Sequence, residues 1–171
     1  IKILTGYLDD KLIDSFRNHK PFKERKYVFG YRAFGDIDWS SHNNIKIVIA
    51  KKFRDKCKKL NLKENIKLGE KYFFHGKNWL KFLENCKFTI GVEGGSSIID
   101  WDGSILNRVS KFKLKNPEAT TKEIMENCVP SNLEGSIKTN NISPRHLEAC
   151  LTKTCQILIE GKYNNILKPN I

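Results

Sequence analysis

Arg145 and Glu148 stand one helical turn apart in "SPRHLE", directly after Ser143 and Pro144. Serine is a favoured helix N-cap and proline is favoured at the first helical position, so a helix is expected to open here. That puts Arg145 and His146 in the first turn, where a cation opposes the helix dipole. An anionic ligand would remove the conflict, with Arg145 on a phosphate and Glu148 on sugar hydroxyls. The plainer alternative is an ion pair between the two side chains, worth about 0.2–0.5 kcal/mol.

A second stretch, "VEGGSSIIDWDG", offers Glu93, Gly94, Gly95, Ser96 and Ser97. Glycines let backbone N–H groups approach a ligand closely. A helix starting near Ser96 would present its N-terminus to a phosphate. Glu93 suits hydrogen bonds to sugar hydroxyls. The alternative is a tight turn with serine as N-cap. The pattern is not a P-loop, which needs a Lys-Ser/Thr pair after the second glycine. Arg32 in "GYRAF", His75 and Gly76 in "FHGKNW", and Glu160 and Gly161 in "ILIEGK" complete a ring of candidate loops. Arg32 suits a phosphate, and His75 suits either a ligand or the cap of the helix that follows. Asp100 and Asp102 flank Trp101 without a third ligand, so a turn is expected there and no metal site.

These residues need elements to position them. Lys26–Ala33 reads as a strand, followed by polar turn residues through Asn44. Ile45–Leu60 repeats its apolar residues with helical period and sets Lys46, Lys51, Lys52, Lys56, Lys58 and Lys59 on a face expected to be solvated. A short strand ending at Gly69, a helix over Gly76–Cys86 and a strand through Phe88, Ile90 and Val92 follow. Thr120 and Glu123 have the spacing of a capping box before a helix to about Cys128. "VPSNLEGSIKTNN" reads as a linker, the helix at Ser143 comes next, and "CQILIEG" reads as a buried strand. Strands alternating with helices predict an α/β fold, a Rossmann-like parallel sheet flanked by helices. Ligands of such sheets sit beyond the carboxyl ends of the strands, where the candidate loops fall.

The chain has 171 residues, 39% of them apolar, and a formal charge of +12. Residues 1–25 are expected to be a linker or interdomain segment and residues 26–171 one domain. Without an initiator Met, the chain is expected to be a piece of a longer one. No apolar run is long enough to span a membrane, and no signal peptide is evident, so a cytoplasmic location is expected. The positive charge admits peripheral contact with the anionic inner face of a membrane. Nucleic acid is disfavoured, because few of the cations are Arg and no recognition motif is present. The cysteines Cys57, Cys86, Cys128, Cys150 and Cys155 show no zinc-ligand spacing and are expected to be buried free thiols.

"NWLKFLENCKFTIGVEGGSSIIDWDGSI", "NPEATTKEI" and "ISPRHLEACLTKTCQILIEGKYNNILKP" together resemble the C-terminal half of bacterial GT-B-fold glycosyltransferases of surface-polysaccharide biosynthesis. The likeness runs from Lys26 to Pro169 and is closest from Phe74 onward. It implies a Rossmann-like domain that binds a nucleotide-diphosphate sugar for transfer to a glycan or lipid-linked acceptor. No metal or other cofactor is implied. Glu148 matches the helix-borne glutamate that holds the ribose. Arg145, and less closely Arg32, match the diphosphate contacts, and Glu93–Ser96 resembles the loop facing the donor sugar. Glu93 and Glu148 lie far apart in sequence, so neither a retaining nor an inverting outcome is implied. The general base is expected in an N-terminal domain of the same chain, so these residues alone are expected to bind donor without turnover. A non-catalytic sugar-nucleotide or polysaccharide-binding module is the alternative, with a basic nucleic-acid-binding domain behind it.

Overall fold

A computed structural model describes residues 6–16, 18–35, 39–137 and 139–168. Four parallel strands form the central sheet: β1 (Tyr27–Ala33), β2 (Glu64–Leu68), β3 (Cys86–Gly91) and β6 (Cys155–Leu158), in the order β2-β1-β3-β6. Between them run α2 (Ser41–Lys59), α3 (Lys77–Glu84) and α6 (Pro144–Leu151). The fold is α/β and Rossmann-like. A short antiparallel pair, β4 (Gly94–Ser96) with β5 (Thr139–Asn141), lies beyond β3.

Successive side chains of β1 point to opposite faces of the sheet and divide the layers, and its last four residues, Gly30 to Ala33, are all buried. Tyr31 and Ala33 join Ile49 and Ala50 of α2, with Ile66 and Ile90 from the neighbouring strands, in the main core. Gly30 faces the other way, where a Cβ would come within 2.9 Å of the Phe82 ring and closer still to the Cys86 sulfur. Only a glycine lets α3 pack so near the sheet. α3 in turn contacts α6, so α2 covers one face and the α3–α6 pair the other.

Helix α2 begins at Ser41, earlier than the expected Ile45, because Ser40 and Ser41 open the first turn with the Asn44 N–H on the Ser40 carbonyl at 3.0 Å. β6 is not a buried strand. It ends the described sheet as an edge, and Cys155 and Ile157 are exposed. All five cysteines are free, but Cys150 and Cys155 are exposed rather than buried. Their positions on the outward side of α6 and on the edge strand explain this. The part of the linker that reads Thr139–Asn141 is strand β5.

The segment between β4 and β5 builds its own small core from Ile98, Ile105, Val109, Ile124, Cys128 and Val129, with Trp39 against it. α5 (Thr121–Cys128) starts with the expected capping box between Thr120 and Glu123. α4 (Ser104–Lys115) was not expected. Its N-cap is Gly103, in the left-handed region, so the usual sequence signal is absent. Asp100 and Asp102 act in its place, accepting the N–H groups of Ile105, Leu106 and Ser104 at 3.2, 2.9 and 3.0 Å. This is the structural role of the Asp pair around Trp101.

Before β1, a short helix α1 (Asp10–Ser15) is capped by Asp9. Arg25 is buried and donates to the carbonyls of Cys86 and Thr152 and to the Thr154 hydroxyl at 3.0, 2.8 and 3.0 Å. It ties the segment entering β1 to β3 and to the turn between α6 and β6.

Candidate functional site

The chain leaves β1 toward β2 on one side of the sheet and leaves β3 toward β6 on the other. The strand order therefore reverses between β1 and β3, and a crevice opens at their carboxyl ends. A cavity of about 530 Å³ occupies it. Tyr31 and Ala33 from β1, Ile90 to Gly94 at the end of β3, Lys46 of α2, and Trp79, Arg145 and His146 from the other face line its wall. A second cavity of about 570 Å³ lies beside it, lined by Arg32, Phe73 to Lys77, Trp79, Pro144, Arg145 and Glu148. The two share Trp79, Ser143 and Arg145.

α6 opens at Ser143 and Pro144 as expected, although the Ser143 side chain makes no capping bond. Arg145 reaches from the first turn to the end of β1, where its guanidinium donates to the Arg32 carbonyl at 2.5 Å. It lies over the Trp79 ring, 5.4 Å from the centroid, with Phe73 at 6.0 Å. Glu148 accepts the Trp79 indole N–H at 2.7 Å. Among the described residues Arg145 and Glu148 form no ion pair. The tryptophan stands between them, its face to the cation and its edge to the carboxylate. This replaces the expected alternative of an Arg145–Glu148 pair and leaves both side chains on cavity walls.

Lys46 is the cation that sequence reasoning placed wrongly. It was expected on the solvated face of α2, yet it is partly buried and lines the first cavity. The other five lysines of that face are exposed. Burial lowers the Lys46 pKa, and the nearby Arg145 lowers it further. Two cations thus act on one crevice. Tyr31 lines it too, its hydroxyl pushed up to about 12 by burial against the opposing pull of Arg145. The indole N–H of Trp39, another lining residue, is buried and has no hydrogen-bond partner among the described residues. A buried donor without an acceptor is costly, and a ligand oxygen in the cavity would relieve it.

His146 is buried, with Nδ1 2.9 Å from the Gln156 side-chain oxygen and Nε2 3.3 Å from the Val92 carbonyl. Its pKa is lowered, with burial as the largest cause and the two hydrogen-bond partners pulling the other way. It holds the start of α6 to the end of β3 and to the first half of β6, and it lines the first cavity.

Glu93 is buried at the end of β3 and its carboxylate accepts the Tyr163 N–H at 2.7 Å. A Cβ on Gly161 would fall 2.7 Å from the second carboxylate oxygen, so the loop after β6 closes directly onto Glu93. Its carbonyl faces His42 Nε2 at 3.1 Å. Glu93 thus anchors two segments around the cavity.

The glycine-rich stretch does not start a helix at Ser96. It forms β4, and a Cβ at Gly95 would overlap the Thr139 carbonyl oxygen at 1.5 Å. The close approach that these glycines permit is to β5, not to a helix-bound phosphate. Glu93 and Gly94 line the first cavity, whereas Gly95, Ser96, Ser97, Glu160 and Gly161 lie outside both. Ser96 turns its hydroxyl to the Ile98 carbonyl at 2.5 Å.

Arg32 is buried, with its guanidinium donating to the carbonyls of Tyr72, Tyr31 and Asn65 at 2.9, 2.8 and 2.6 Å and stacked 4.2 Å from the Phe82 centroid. Most of its donors are therefore committed to the fold. His75 and Gly76 line the second cavity at the start of α3; Gly76 is the N-cap, and the exposed His75 makes no side-chain capping bond. Among the described residues no group of three or more His, Cys, Asp or Glu is arranged to hold a metal ion. No helix among them is long and apolar enough to cross a membrane.

Trp79 and Trp39 were absent from the residues expected at the site. Trp79 reads as an ordinary apolar position of a helix and Trp39 as part of a polar turn, and only their neighbours in space reveal the indole edges. No protein-family model, curated protein or solved structure matches the chain.

Proposed function

We propose that this domain binds a nucleoside-diphosphate sugar across the two cavities and serves as the donor-binding part of a GT-B-type glycosyltransferase acting on a glycan or lipid-linked acceptor. The observation that carries the reading is the position of Arg145 on the wall the cavities share, above Trp79, whose indole N–H is bound by Glu148. A diphosphate on Arg145 would put the nucleoside on one side and the sugar on the other.

The second cavity suits the nucleoside. Phe73, Phe74 and Trp79 offer aromatic faces, and Glu148 is held where it can accept from ribose hydroxyls. The first cavity suits the sugar and the inner phosphate, with Lys46 and Arg145 as cations and the Trp39 N–H as an unused donor. As the bond between sugar and diphosphate breaks, negative charge grows on the leaving oxygen. Two fixed cations in a partly buried crevice stabilise that charge more than they stabilise the bound donor. His146 and Glu93 position the walls rather than the reacting atoms. The base that takes the acceptor proton is assigned to chain outside these residues.

Calorimetric titration with UDP, GDP, ADP, CMP and dTDP, with Arg145→Ala beside it, tests the reading. Binding of one nucleotide that the substitution abolishes supports it. Binding of none, by this domain or by the full-length protein, overturns it. Nucleotide-sugar binding with no transfer by the full-length protein to any acceptor favours the non-catalytic module.

A further inference from the structure

Helix α2 has two unlike sides. Ile47, Ile49, Ala50 and Cys57 are buried, and Lys46 reaches the first cavity. On the outward side Lys51, Lys52, Lys56, Lys58 and Lys59 are exposed, and Asp55 is the sole acidic residue of the helix. Ile45 and Val48 are 46% and 40% exposed, and Leu60, just past the last turn, is 55% exposed.

Steps of three and four residues place Ile45, Val48, Lys52, Lys56 and Lys59 on one stripe. The stripe is apolar at its start and cationic at its end. Such a combination suits an anionic bilayer, where ammonium groups meet lipid phosphates and aliphatic side chains enter the headgroup boundary. It suits nucleic acid less well. The outward side presents lysines as point charges, no aromatic ring for a base to stack on, and no exposed Arg for bidentate reading, Arg54 being partly buried.

We propose that the outward face of α2 docks this domain on a bilayer surface rich in anionic phospholipid. The proposal concerns a different surface from the nucleotide cavities and does not depend on what they bind. Because the inner side of the same helix carries Lys46, a docked α2 would also hold the crevice close to the bilayer.

Co-sedimentation with phosphatidylcholine vesicles, with and without phosphatidylglycerol, at about 0.15 M salt tests it. The protein should pellet with the anionic vesicles alone. Lys52→Glu, Lys56→Glu and Lys59→Glu together should reduce that binding by at least about tenfold. The same number of reversals elsewhere, at the exposed Lys111, Lys115 and Lys122, should change it less than about twofold. Ile45→Ser with Val48→Ser should weaken it several-fold, and far-UV circular dichroism should show every variant folded. Equal binding to neutral vesicles, equal loss in both reversal sets, or no effect of the serine pair would each overturn the proposal. So would tighter binding to a short DNA duplex than to the anionic vesicles, which would assign the face to nucleic acid.

Discussion

Trp79 donates its indole N–H to the Glu148 carboxylate at 2.7 Å, joining α3 to α6 across the wall between the two cavities. The bond fixes the carboxylate in one orientation and holds the ring flat beneath Arg145. Trp79→Phe keeps an aromatic face and removes the donor. A hydrogen bond to a charged group is worth about 1.5–3 kcal/mol. Affinity for the cognate nucleotide should therefore fall by roughly tenfold or more, while circular dichroism shows the fold intact. Unchanged affinity would separate Glu148 orientation from binding.

Arg145→Lys should fail almost as fully as Arg145→Ala. The guanidinium both reaches the Arg32 carbonyl and lies on Trp79, and a lysine cannot keep a planar group on the ring while donating sideways. A binding loss of about tenfold or more in the lysine variant is expected. Recovery of wild-type affinity by lysine would show that charge alone matters.

Arg25 serves the fold and not the site. Its guanidinium satisfies two carbonyls and a hydroxyl in the interior. Arg25→Ala would leave those acceptors buried and unpaired, at a cost of about 3 kcal/mol or more. Urea unfolding should show this as a lower midpoint with a similar slope.

Stability should fall as the solution is acidified below about pH 6.5. His19, His42 and His146 all have lowered pKa values, with burial as the largest cause in each. A histidine that ionises less readily when folded takes its proton first in the unfolded chain. Its stabilisation is complete above the ordinary value of 6.5 and is lost as pH drops toward the lowered folded value. His146→Gln should flatten the decline between pH 6.5 and the acid limb. An unchanged slope would move the effect to the other two histidines.

The alternation of strands and helices was legible because each element carries its own local pattern: the β-branched and aromatic run of β1, the helical period of α2, the Ser-Pro start of α6. α4 was not legible, since its capping carboxylates lie upstream of a glycine N-cap. The site divides in the same way. Arg145 and Glu148 announced themselves by a cation set against a helix dipole. Lys46 and Trp79 did not, because within α2 and α3 respectively they look like any other lysine and tryptophan. What distinguishes them is proximity to Arg145, fixed by contacts between residues far apart in sequence. The glycines misled for a related reason. Close backbone approach is visible as composition, but whether the neighbour is a ligand or another strand is decided only by where Thr139 returns.

The crevice draws its two cations from opposite layers, Lys46 from the α2 side of the sheet and Arg145 from the α3–α6 side. A polyanion seated between them would act as a cross-link as well as a substrate. Occupancy and global unfolding then become one coupled equilibrium. A ligand at a hundred times its dissociation constant would add about 2.7 kcal/mol to the native state by mass action. Under the proposed function, the melting temperature of this domain would report which nucleotide it binds before any transfer is measured.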